Sequence, residues 1–318
     1  KQAETFCSDW EVLFPGEQVC LLNEIPLTPH GVRDKALPVQ RGETLARWKR
    51  EGGLLAASSG ALLGPVCRGK GEIRIAAGKD YPREQILDWL VHGGYERSDI
   101  VWAPGQFVFR GYILDVYDPA YAHPLRIEFF DETAESVRSF SPRTQASVAL
   151  LDEAALHSLS GSQEESMFDF FPENTVSVHF DPVRASASAD YFAMLWRDLT
   201  AGDEDAKPLQ EWDDIVLRLA SRPRLRITPS ASFSQKIIPV EEVPPFRGNM
   251  EKFRWMCDSW SDGGYSVFLA TANPRILAFG GETPAVPAGG ALSKGFIDPE
   301  AGVVYVSDLE LAGISERA

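Results

Sequence analysis

The stretch PGQFVFRGYILDVYDPAYAHPLRIEFFDETAESVRSFSPRTQAS, Pro104 to Ser147, decides the fold. It reads as successive short antiparallel strands with arginines set among aromatics. Side chains alternate faces along a strand, so Val108, Arg110, Tyr112 and Leu114 are expected on one face of the first. In the next strand Arg126, Glu128 and Phe130 share a face, and Ile127 and Phe129 fill the opposite one. Arginine beside exposed aromatics is the composition of a protein-recognition surface. The same spacing also fits a salt-bridged solvent face in which Glu128 and Asp131 neutralise the arginines.

Upstream, PREQILDWLVHGG predicts a helix with Ile86, Leu87, Leu90 and Val91 on one face, Asp80 as N-cap and Gly93-Gly94 as the stop. RGETLARWKREGG predicts another helix, with Leu45 and Trp48 at i, i+3 and a Gly52-Gly53 terminator. SDWEVL reads as a strand edge, GLLAASS as a strand, and SGALLGPV as a short helix. Downstream, NTVSVHF alternates as a strand, and DPVRASASADYFAMLWRDL and WDDIVLRLAS read as helices. A Pro-rich linker, IIPVEEVPPFRGN, leads to a last small unit: helix MEKFRWMCDSWSDGG and strands YSVFLATA and GVVYVSDLELAG. At 318 residues the chain is long enough for two or three domains.

The formal charge of −15 disfavours broad nucleic-acid binding, whose affinity comes mainly from phosphate neutralisation. The basic segment SRPRLRI (Arg222, Arg224, Arg226) is a modest exception. Acidity suits a module that docks on a protein with a basic surface. No apolar run reaches eighteen residues, so no membrane span is expected. The N-terminus lacks the features of a secretory signal. Cys7, Cys20, Cys67 and Cys257 form no CxxC pair, which fits reduced thiols in a cytoplasmic protein.

Three blocks in order, RGYILDVY (Arg110 to Tyr117), PLRIEFFDE (Pro124 to Glu132) and SVRSFSPRTQAS (Ser136 to Ser147), resemble the UvrA-binding domain shared by UvrB and the transcription-repair coupling factors. The coupling-factor family is the better match, because the seventy residues before the domain hold neither a complete Walker A loop nor a long aromatic hairpin. The resemblance implies a multidomain α/β chain. A split, degenerate RecA-like α/β domain (residues 1–71 and 159–230) is interrupted by a UvrB-like α+β antiparallel-sheet insertion (72–158). A linker and small α/β domain (231–318) follow.

It implies UvrA contacts at Arg110, Arg126 and Phe130, with Arg138 and Arg143 as possible extensions of the patch. It further implies a non-catalytic module that recruits UvrA in transcription-coupled nucleotide excision repair. RNA polymerase and double-stranded DNA would be engaged by other parts of a larger ATP-dependent DNA translocase, where ATP and Mg would also act. Tyr112 departs from the family pattern, standing where a small residue is usual after Arg-Gly; Asp118 and Thr133-Ala134 are further departures. A UvrB-like damage-recognition fragment is the alternative within the same group.

Another alternative is a degenerate nucleotide-binding ATPase fragment. Gly64 to Gly71, GPVCRGKG, fits G-x-x-x-x-G-K but ends in Gly71 where a phosphate loop needs Ser or Thr, and EIRIAA after it reads as a strand, not a helix. The five histidines show no metal-ligand spacing, and no serine sits in a nucleophile elbow. Asp115 and Glu128, each with arginines nearby, read as structural ion pairs and not as an acid/base couple. No catalytic, cofactor or metal residue is therefore assigned.

Overall fold

The computed structural model describes residues 1–69, 71–160, 163–204, 206–228 and 236–312. The protein is mixed α/β with several separate sheets. Its contacts divide it into two units, residues 1–21, 53–56 and 228–318 in one and 22–52 and 57–227 in the other.

The larger unit is built around a six-stranded sheet. In spatial order its strands are Ser147–Leu151, Thr133–Phe140, Leu125–Phe130, Ile113–Val116, Gln106–Arg110 and Glu96–Arg97. All neighbours are antiparallel except the last pair. One face is core: Phe107, Phe109, Leu114, Val116, Leu125, Ile127, Phe129 and Val137 are buried there with Ile86 and Leu90. Ile86 and Leu90 come from the helix Arg83–His92. Val91 on that helix is exposed, so its apolar stripe is narrower than expected.

Asp80 does not cap this helix. It accepts a hydrogen bond from Thr133 Oγ1 at 2.6 Å, and Pro82 holds the N-cap position without a side-chain bond. The two sheet edges differ. Glu96–Arg97 is short and charged, whereas Ser147–Leu151 carries no charge and leaves Val148 and Leu150 exposed.

The strand Glu72–Ala76 pairs antiparallel with Glu153–His157, bringing the two ends of this region side by side. The helix Ala36–Glu51 buries Val39, Leu45 and Trp48. It runs so close to the strand Cys67–Arg68 that a Cβ at Gly42 would lie 2.0 Å from the Cys67 carbonyl oxygen. Ser177–Phe180 and Arg224–Ile227 form a parallel pair, connected through the helices Pro182–Thr200 and Trp212–Ala220. Asp181 caps the first of these helices by accepting from the Arg184 amide.

In the smaller unit, residues expected as a strand edge form part of the helix Gln2–Leu13. Phe6, Trp10 and Phe14, spaced four apart, line up their rings with centroids 5.9 and 4.3 Å apart. That i, i+4 stack outweighs the local strand preference of Trp and Val. A four-stranded sheet, ordered Val286–Pro287, Ser266–Ala270, Val303–Ser307 and Phe296–Asp298, packs against the helix Met250–Asp262 through Phe253, Cys257 and Trp260. GVVYVSDLELAG divides into the strand Val303–Ser307 and a short helix, Asp308–Ala312.

All four cysteines are buried, and none is in a disulfide. Among the described residues, no helix is long and apolar enough to cross a membrane.

Candidate docking face

The outer face of the six-stranded sheet is a checkerboard of charges set by register. Val108, Asp115, Arg126, Arg138 and Leu150 form one row across five strands; Arg110, Ile113, Glu128 and Ser136 form the next. Arg126 and Arg138 stand directly opposite one another, a like-charge pairing that is unfavourable unless each cation has its own anion. Each does. Arg126 donates from Nε to Asp115 Oδ1 at 2.6 Å and from Nη2 to Asp115 Oδ2 at 2.8 Å. Arg138 reaches diagonally to Glu128, donating at 2.6 and 3.1 Å.

Ser136 Oγ also donates to Glu128 at 2.8 Å, and these bonds hold the Glu128 carboxyl below its ordinary pKa. Asp131, expected as a neutralising group, occupies a turn at φ +57°. Asp115 takes that role because the register puts it beside Arg126.

Arg126 is further fixed. Its Nη2 donates to Gln145 Oε1 at 2.9 Å, and its guanidinium lies over the Phe140 ring, 4.3 Å from the centroid. Phe140 is thereby only 1% exposed, although its side of the sheet faces solvent elsewhere. The Arg138 Nε is buried without an acceptor. Arg143 is exposed in the turn before Ser147.

Arg110 is placed differently. It is exposed at the end of its strand, and its guanidinium donates to the Asp99 carbonyl oxygen. Among the described residues it makes no ion pair. The strand expected to carry Val108 through Leu114 on one face ends here, because Gly111 at φ +59° and Tyr112 form a two-residue hairpin turn. Leu114 therefore points into the core while Arg110 points out. The signal was Gly111, which favours positive φ at a hairpin. Phe130, last in its strand, is 72% exposed. The structure thus gathers Arg110, Arg126, Phe130 and Arg138 on one face, and adds Asp115, Phe140 and Gln145 as the residues that hold it.

The first two residues of the near-phosphate stretch, Gly64 and Pro65, turn their carbonyls to a buried cation, and Lys70 lies outside the described residues. The Arg41 guanidinium, in a residue only 2% exposed, donates to the backbone oxygens of Asn23, Ala61, Gly64 and Pro65. Burial pulls its pKa down to about 10. A phosphate loop turns N–H groups inward; here carbonyls converge. The chain then enters the Cys67–Arg68 strand and not a helix. Among the described residues, no three His, Cys, Asp or Glu side chains converge to hold a metal ion.

The sheet buries one face under a helix and displays arginines and an uncovered phenylalanine on the other. Residues 73–160 match the UvrB interaction domain family. The chain is similar to transcription-repair coupling factors among other proteins. It is 43% identical over 83 residues to that of Myxococcus xanthus, covering 26% of this chain and 7% of the relative. It is 35% identical over 157 residues to that of Bacillus subtilis, 47% of this chain and 13% of the relative. It is also 29% identical over 138 residues to UvrABC system protein B of Thermus thermophilus, 42% of this chain and 20% of that protein. The matches therefore span 7% to 20% of these relatives' lengths.

Proposed function

We propose that the outer sheet face docks UvrA through Arg110, Arg126 and Phe130, with Arg138 and Arg143 at its margin. On this reading the chain is a non-catalytic module that recruits UvrA in transcription-coupled nucleotide excision repair. Its parent would be an ATP-dependent DNA translocase acting on stalled RNA polymerase, and ATP, Mg and duplex DNA would belong to the parent's other parts. The parallel pair Ser177–Phe180 and Arg224–Ile227 with its connecting helices is consistent with a split RecA-like domain around the insertion.

The observation that carries the proposal is Phe130. An aromatic ring 72% exposed, within the stretch that matches the UvrB interaction domain family and on the same strand face as Arg126, suits an apolar anchor with charged flanks. The test is calorimetric titration of the chain with UvrA, with bare DNA and Mg-ATP as controls. Phe130→Ala should weaken binding by about 2 kcal/mol or more at an unchanged melting temperature. Undiminished affinity in that variant would overturn the proposal.

A further inference from the structure

The candidate face treats its aromatics in two ways. Phe140 is sealed beneath the Arg126 guanidinium, while the opposite corner leaves a group of apolar side chains bare: Tyr112 is 66% exposed, Phe130 72% and Ile113 37%. Scattered apolar residues on a surface need no explanation. These three sit on neighbouring backbone. Tyr112 and Ile113 are consecutive, and the Phe129 amide donates to the Tyr112 carbonyl oxygen at 2.8 Å, which ties the hairpin turn to the residue preceding Phe130.

The charges follow the same division. Arg126 and Arg138 spend their guanidiniums on Asp115 and Glu128. Arg110, in register with Ile113, donates to a neutral carbonyl. The corner thus combines a cation with no ion pair among the described residues, two exposed rings and an aliphatic side chain. Its complement is a partner surface with a carboxylate set beside an apolar pocket. The Tyr112 ring adds a large, stiff contact area at little entropic cost, since only two side-chain torsions must be fixed.

We propose that Tyr112 is a second aromatic anchor of this face and inserts, next to Phe130 and with Arg110 alongside, into an acid-rimmed apolar pocket on UvrA; this rests on the UvrA-docking reading above. Among the described residues the Tyr112 side chain makes no hydrogen bond, so truncation breaks none and removes mainly exposed surface. Tyr112→Ala should raise the Kd for UvrA at least about tenfold, while Tyr112→Phe, which keeps the ring, stays within about twofold of the parent.

Affinities would be read by calorimetry, alongside Phe130→Ala and melting curves of every variant. Unchanged binding of Tyr112→Ala while Phe130→Ala is impaired overturns the anchor and leaves the docking face standing. Loss of binding in Tyr112→Phe equal to that in Tyr112→Ala overturns the apolar role of the ring. Failure of the parent chain to bind UvrA overturns the docking reading and this inference with it.

Discussion

Asp115 and Arg126 lie opposite one another on adjacent strands and are joined by two hydrogen bonds of 2.6 and 2.8 Å, with only 10% and 18% of their side chains accessible. A residue proposed to touch a partner is therefore also part of the domain's internal architecture.

Arg126→Glu should consequently do more than weaken docking. It sets a second carboxylate against Asp115, and breaking a buried pair leaves an uncompensated charge. A loss of roughly 3 kcal/mol in folding stability is expected, measurable by urea denaturation. Asp115→Asn should cost less, since it keeps an acceptor for Arg126. If Arg126→Glu unfolds at the same urea concentration as the parent, the pair does not support the fold.

The cross-strand partnership shows what the sequence could and could not convey. The helices at Arg83–His92 and Met250–Asp262 and the part of Ala36–Glu51 from Arg41 onward were legible from apolar periodicity and terminal glycines, as was the alternation of Arg126, Ile127, Glu128 and Phe129, whereas the turn from Ala36 to Gln40, with Pro38 in it, was not. The pairing of Arg126 with Asp115 was not. Eleven positions separate them, and only the hairpin register brings them together. The exposure of Phe130 was equally hidden, because periodicity assigns a face and does not say what covers it. Arg41 reads as one more surface arginine on a helix; its burial follows from the close approach at Gly42. The helix at Gln2–Leu13 was readable after all, in the spacing of Phe6, Trp10 and Phe14.

A pH effect is expected where the domain's first and last strands meet. His157 Nδ1 lies 3.1 Å from Asp118 Oδ1, and Nε2 lies 3.9 Å from Glu72. Asp118, wholly buried, also accepts from the Tyr95 hydroxyl and the His157 and Ala120 amides. The bond to Asp118 chiefly raises the imidazole pKa above 6.5; burial opposes it, and Glu43 and Glu72 add to the rise. A raised pKa means that the folded state binds the proton more tightly. The stabilisation is thus complete below about pH 6.5 and is lost as pH climbs through the folded pKa. Urea midpoints should fall between pH 6 and pH 8 in the parent, and fall less in His157→Gln. Equal slopes would refute this.

The Arg41 plug makes a separate prediction. Arg41→Met leaves four backbone oxygens without their donor, at a cost of roughly 3 kcal/mol or more. Lysine, with three donors on a point charge, should recover only part of it. Because Gly64 and Pro65 turn carbonyls, not N–H groups, toward Arg41, Mg-ATP should not raise the melting temperature of the parent chain. A saturable thermal shift would contradict that.

The unlike edges of the six-stranded sheet give it a direction. At Glu96–Arg97 the sheet is closed by brevity and charge, two devices that discourage a further strand. At Ser147–Leu151 neither is present, so among the described residues this edge of the sheet is the margin open to an extended segment joining in register. Growth of this sheet, whether by a partner's strand or by stray association of copies, is one-sided. A single lysine at Leu150 should close that margin, seen as reduced light scattering on concentration with the melting temperature unmoved.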